Sequence, residues 1–380
     1  MKKISVNTIV VLCILLLCAC SSGSRTKAGA EGGKVEENLY AKGFGITRFK
    51  DYSTVSIADP WDTAKVLQKY ILVEKSAPLP RNLPQGTIIR VPIENAIMYT
   101  VVHTSVLEQL GALDAVAGIC ETQYLNSPGA KEAVRSGRIA DCGLATAPNV
   151  EKIMDIGGEI IIASPFEHGG YGQVEKLGVP IFESADYMET HPLGRAEWMK
   201  VYGMLLGKEA EADSMFQGTV ARYNAIKELA SKAKKRPRLM VERKYGSSWF
   251  IPGGASYMAT MYGDAGADYI FSDLNETGSV PYPFERVYER GLDADIWLLK
   301  YSMDRDMTYN DLLQEYKPYG DFAPFRNRNI YACNTTQSSY YETISIHPDY
   351  ILADFLHIFH PQLLPEHELI CYKPMEEAAR

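Results

Sequence analysis

The stretch that most constrains this chain is residues 209–235, EAEADSMFQGTVARYNAIKELASKAKK. Its apolar side chains fall at Ala212, Met215, Phe216, Val220, Tyr223, Ile226, Leu229 and Ala230, a three-and-four spacing that lines one face of a helix. Gly218 alone interrupts that face, and Pro237 ends the pattern because proline cannot continue the hydrogen-bond ladder. A helix of this length would span roughly 40 Å, long for one element inside a single lobe. Strand-and-helix alternation runs up to its start and resumes after its end. The expectation is a strut between two lobes; the alternative is a plain amphipathic helix within one large domain.

The rest of the chain has room for two cores, with 380 residues and 46% hydrophobic content. Net charge is −8 with acids and bases interspersed, which argues against nucleic acid as a partner. At the N-terminus Lys2 and Lys3 precede an apolar run over 9–17, too short for a comfortable membrane span and right for a signal peptide. The run closes in Leu17-Cys18-Ala19-Cys20 followed by Ser21 and Ser22, which resembles the lipobox of bacterial lipoproteins. That resemblance implies Cys20 as the acylated first residue of the mature protein, and a lipid-anchored chain in the periplasm of a Gram-negative bacterium. Beyond the signal remain Cys120, Cys142, Cys333 and Cys371 with no CxxC pair. They suggest neither a zinc knuckle nor a thioredoxin-like site, and two disulfides or four buried thiols both fit.

Residues 21–38 lack large apolar side chains and read as a flexible tether. An α/β N-terminal lobe is expected over 39–206, its first part (39–86) an extra strand meander without a functional reading. Strands over 88–91, 97–102, 115–120, 160–163 and 179–183 alternate with helices, ending in one over 198–206. The connecting helix occupies 207–236 and a second α/β lobe 237–380. In the second lobe, 246–254 reads as a glycine-bearing turn. The fold class is α/β, two Rossmann-like lobes with mostly parallel sheets joined by one long helix, and the ligand cleft lies between them.

Several ordered pieces carry a family resemblance: VLEQLGALDAVAGI, APNVEKIMDIGGEIIIAS, VEKLGVPIF, GMLLGKEAEA, FERVYERGLDADIWLL and the closing HPDYILADFLHIFHPQLLP. In that order they resemble the helical-backbone periplasmic binding proteins, substrate-binding subunits of ABC importers for ferric siderophores, haem and vitamin B12. The resemblance implies a monomer that hands a small-molecule metal chelate to an ABC permease dimer with its ATPase subunits. It implies no resident cofactor. Bare-metal relatives of this architecture need several His and carboxylates converging from both lobes, a pattern this sequence does not assemble. It also implies one exposed glutamate per lobe for permease docking, Glu151 and Glu285, with Glu289 as the rival in the second lobe. A carboxylate in a first helical turn is favoured by the helix dipole in any case.

The family pattern puts cleft residues at strand ends. From the first lobe these are Tyr99, Thr100, His103, Thr104, Tyr124, Ser164, Phe166, Glu167 and His168; from the second, Arg243, Tyr245, Trp249, Phe250 and Tyr282. The set is rich in aromatics, which give flat ligands contact area at low entropic cost. Arg243 is the candidate to pair with an anionic siderophore complex. Tyr124, His103 or His168 would supply the axial group that haem needs. The expected ligand is a siderophore-type iron complex or a corrinoid, with haem as the alternative. An exported lipoprotein hydrolase is a further alternative, but GxSxG, HExxH and GxxxxGK[ST] are all absent.

Overall fold

A computed structural model describes residues 32–62 and 64–377. The expected signal segment, Cys20 and most of the expected tether fall outside the described residues. The tether's last part is not free chain: Lys34–Glu36 pairs antiparallel with Phe44–Arg48. That pair opens a five-stranded sheet continued by Ser53–Ala58, Val66–Glu74 and Thr87–Val91, the last joined in parallel. Alternation of buried and half-exposed residues along Phe44–Arg48 turns one face inward, and Phe44, Ile46, Val55, Ile57, Tyr70 and Leu72 join the first-lobe core. Two carboxylates clamp this addition to the lobe. Glu197 accepts the backbone N–H groups of Leu39, Tyr40 and Ala41, while Glu189 accepts those of Lys42 and Gly43 and the indole N–H of Trp198.

Each lobe is built on a mostly parallel sheet whose buried strands are runs of large apolar residues, as strands covered on both faces must be. The first sheet runs Ile181–Glu183, Ile160–Ala163, Ala96–Met98, Val116–Ile119, Ala140–Asp141, all parallel. The second runs Asp268–Tyr269, Arg238–Val241, Ile296–Tyr301, Ile330–Asn334, with Lys373–Pro374 antiparallel at its edge. Two local readings are corrected. The strand expected over 97–102 stops at Met98, because Thr100 caps a helix, Val101–Gln109, by accepting the His103 N–H. The turn expected over 246–254 is instead a hairpin: Gly246, at φ 59°, reverses the chain into Ser248–Pro252, which pairs with Ser279–Tyr282.

The connecting helix is Glu209–Ala230, about 33 Å long at the usual rise. It packs on Met199–Leu206 of the first lobe and on Pro348–Phe359 of the second. Ala212 and Phe216 enter the first lobe's core and Tyr223 enters the second's. The expected strut is therefore a shared wall of both cores. A second junction is the helix Tyr340–Ile346, which packs on Val101–Gln109 and Pro192–Glu197. Glu342 on it accepts the Asn126 N–H at 3.2 Å, and the Asn126 side chain donates to the Ser338 carbonyl at 3.1 Å. All four cysteines of the body are free and buried, and burial pushes the Cys333 thiol up to about 11. They act as small apolar side chains.

Candidate functional site

In the second sheet the strand order reverses between Arg238–Val241 and Ile296–Tyr301, since their onward connections leave to opposite sides. The crevice beyond the carboxyl ends of two such strands is where open α/β sheets bind ligands. Two charged residues stand there at the ends of apolar runs, Glu242 and Lys300, and they form an ion pair. Glu242 has a left-handed backbone, φ 60°, uncommon for a residue with a Cβ. It is held by its N–H to the Leu298 carbonyl at 2.7 Å and by the Trp297 indole N–H to its own carbonyl at 2.7 Å. Burial works against the Lys300 ammonium, but Glu242 outweighs it and keeps the amine charged well above the usual lysine range.

A cavity of about 550 Å³ opens over this pair. Its second-lobe walls include Tyr245, Phe250, Tyr257, Met258 and Tyr341, and its first-lobe wall is Tyr187 and Met188. The Tyr187 hydroxyl donates to the Pro165 carbonyl at 2.6 Å, tying that wall to the loop after Ile160–Ala163. Mostly apolar walls with a few fixed polar groups are what a small-molecule site needs. Among the described residues no three His, Cys, Asp or Glu side chains gather to hold a bare metal ion.

Of the residues expected at the cleft, Arg243, Tyr245 and Phe250 line this cavity. Arg243 is already engaged, its Nη1 2.7 Å from both Glu315 carboxylate oxygens. Tyr99, His103, Thr104 and Trp249 do not reach it, because they are buried in the lobes. The cap at Thr100 turns the chain inward, so Tyr99 enters the core and Thr104 bonds back to the Thr100 carbonyl. His103 Nε2 meets the buried Asp186 at 3.1 Å. Trp249 packs between Phe284 and Trp297 and donates to the Val241 carbonyl. Tyr282 pairs with Trp249 across the hairpin sheet and packs on Phe271. Thr100 and Ser164 are half-buried, while Tyr124, Phe166, Glu167 and His168 are exposed and line no part of the cavity. Glu151 and Glu285 are exposed in the first turns of Val150–Asp155 and Phe284–Gly291.

Sequence reasoning missed Glu242, Lys300, Tyr187, Tyr257 and Tyr341. A signal existed for the first two: a charge directly after LMV and another inside IWLLKY stand out against strands buried on both faces. Behind the cavity lies a buried polar cluster. Asp186 accepts from Arg195 Nε at 2.9 Å and from the Ser184 hydroxyl at 3.2 Å, besides its contact with His103. Arg195 in turn donates to the Tyr257 hydroxyl at 3.2 Å. Burial alone would raise the Asp186 pKa, but Arg195 and His103 outweigh it and hold the carboxyl well below the usual carboxylate range.

The family model described as periplasmic binding protein matches residues 97–336. The chain belongs to that family. Like other periplasmic binding proteins, the substrate-binding subunits of ABC importers, it is a solute-binding protein and not an enzyme. An uncharacterized lipoprotein of Methanocaldococcus jannaschii is 27% identical over 78% of this chain and 73% of its own length. Two solved structures share the two-lobed fold. A periplasmic binding protein from Veillonella parvula has a TM-score of 0.62 and 16% identity over 82% of this chain and 99% of its own. The periplasmic heme-binding protein RhuT from Roseiflexus sp. RS-1 has a TM-score of 0.56 and 17% identity over 71% and 99%. The expectation of a Gram-negative host finds no support in the lipoprotein relative, which is archaeal.

Proposed function

We propose that this periplasmic binding protein captures a metal chelate, a siderophore-type iron complex or a corrinoid, in the cavity over Glu242 and Lys300. It then delivers the chelate to an ABC permease dimer. The observation that carries this reading is the cavity itself, at the switch point of the second sheet and walled by Tyr187, Tyr245, Phe250, Tyr257 and Tyr341. Those rings match a large, flat or greasy complex better than a small polar solute. The lipoprotein relative supports attachment to a membrane outside the cytoplasm, and in this reading Cys20 is the acylated residue. Glu151 and Glu285 are the docking residues in this reading, and the chain works as a monomer.

Titrating the full-length protein in detergent with a ferric trihydroxamate, haemin and cyanocobalamin, and following tryptophan fluorescence, tests the proposal. At least one chelate should quench saturably, and Tyr257→Ala and Tyr341→Ala should each weaken it by roughly tenfold. Saturable binding of none of the three would overturn the chelate reading.

The connecting helix adds a second expectation. A helix whose side chains enter both cores resists wide hinge opening, so saturation with ligand should change the radius of gyration only slightly in small-angle scattering. A large compaction would contradict a shared, stiff wall.

A further inference from the structure

We propose that the Glu242–Lys300 pair sets the charge class of the bound chelate, closing the cavity to multiply anionic complexes and reserving it for uncharged ones. The inference rests on the reading that this cavity is the ligand site. It names a specificity-determining pair within that site.

Three cations line the cavity, Arg243, Lys244 and Lys300. Each is already engaged. Arg243 is neutralised by Glu315. The Lys244 ammonium is bonded to the Gly246 carbonyl and lies 5.1 Å from the centre of the Tyr316 ring. Lys300 is neutralised by Glu242 and sits 5.5 Å from the centre of the Tyr340 ring. A multiply charged anion entering this space would shed its hydration and meet Arg243 and Lys300 already paired with carboxylates, the single charge of Lys244, and the Glu242 carboxylate among them. Burying several negative charges against one uncompensated cation is strongly unfavourable. An uncharged chelate has no such loss and still gains the aromatic walls.

The placement of Glu242 is not what stability alone would select. An ion pair withdrawn this far from water, its side chains 17% and 19% exposed, contributes little net stability compared with apolar side chains of similar size. Its left-handed backbone is a conformation that a residue with a Cβ adopts at a cost and that tends to persist at functional sites. The Leu298 carbonyl and the Trp297 indole hold that backbone in place. The pair also stands at the one point of the second sheet where the strand order reverses.

The test uses two probes of different charge, a neutral ferric trihydroxamate and a trianionic ferric tris-catecholate, with the full-length protein. Wild type should prefer the neutral probe. Glu242→Gln frees the Lys300 ammonium and should move the affinity ratio toward the trianion by on the order of 10- to 100-fold. Lys300→Gln leaves the Glu242 carboxylate alone and should move the ratio the other way. Glu242→Asp should keep the wild-type preference. Because the two neutralising variants are predicted to move in opposite directions, Lys300→Gln decides the matter if Glu242→Gln does not fold. Equal weakening of both probes in either variant would show a structural pair and overturn the inference while leaving the cavity reading intact. Tighter binding of the trianion by wild type would overturn it in the same way. Wild type binding neither probe would overturn the inference, and the cavity reading falls with it if cyanocobalamin and haemin are not bound either.

Discussion

Replacing both Glu151 and Glu285 by arginine should abolish uptake of the chelate while leaving its affinity for the purified protein unchanged. Both carboxylates are exposed in first helical turns, and neither lines the cavity. Among the described residues neither makes an intramolecular ion pair, so both are free to meet a partner's cations. Asn149 caps the first helix by accepting the Lys152 N–H at 3.0 Å, which fixes where Glu151 projects without occupying its carboxylate. Charges at a rim steer encounter and set register, and a like-charge juxtaposition costs several kcal/mol. That cost corresponds to a loss of at least about a hundredfold in docking. Each single reversal should therefore give an intermediate loss. Glu289→Arg, one turn further along the same helix, should spare uptake and separates a specific contact from general surface charge. The measurement is accumulation of radiolabelled chelate in cells carrying the variant genes, with affinity measured in parallel on purified protein. Uptake persisting in the double variant would remove these residues from the docking surface.

Much of this fold is legible because strands buried on both faces must be apolar throughout. IIIA at 160–163 is read and observed over the same residues. The strut is legible for a related reason: its apolar stripe runs the length of the helix and has to be covered by something at each end. The site is less legible, because which way a side chain points at a strand end is decided by single backbone choices. The cap at Thr100 turns Tyr99, His103 and Thr104 inward, and nothing in the apolar pattern marks that turn. The glycines near Trp249 point to a turn, yet its strand pairs with residues 279–282, a partner no local window contains. The helix Tyr340–Ile346, which brings Tyr341 to the cavity, mixes aromatic, acidic and β-branched residues without a clear stripe, since it is covered from several sides.

Asp186→Asn should destabilise the protein by about 3–5 kcal/mol, the usual result of removing one partner from a buried ion pair. Asp186 is 5% exposed, and its carboxylate receives donors from Arg195 and Ser184 besides its contact with His103. The amide keeps the shape but loses the charge, leaving the Arg195 guanidinium buried without its counter-ion. The same variant should alter the response to acid. The folded pKa of Asp186 lies below its unfolded value, so its stabilising effect is complete above a pH of about 4 and is lost as the pH falls below that. The acid limb of the stability curve should therefore be shallower in Asp186→Asn than in wild type, as measured by denaturant midpoints at a series of pH values. An unchanged limb would mean that other carboxylates govern acid unfolding. A second readout follows from Arg195, which donates to the Tyr257 hydroxyl in the cavity wall. With its counter-ion gone, Arg195 no longer holds that ring in one place, and chelate affinity should fall at neutral pH, where the variant is still folded. A stability loss with full affinity would confine the cluster to holding the first lobe together. Loss of both would show that the same buried charge secures the lobe and positions the cavity wall facing the ligand.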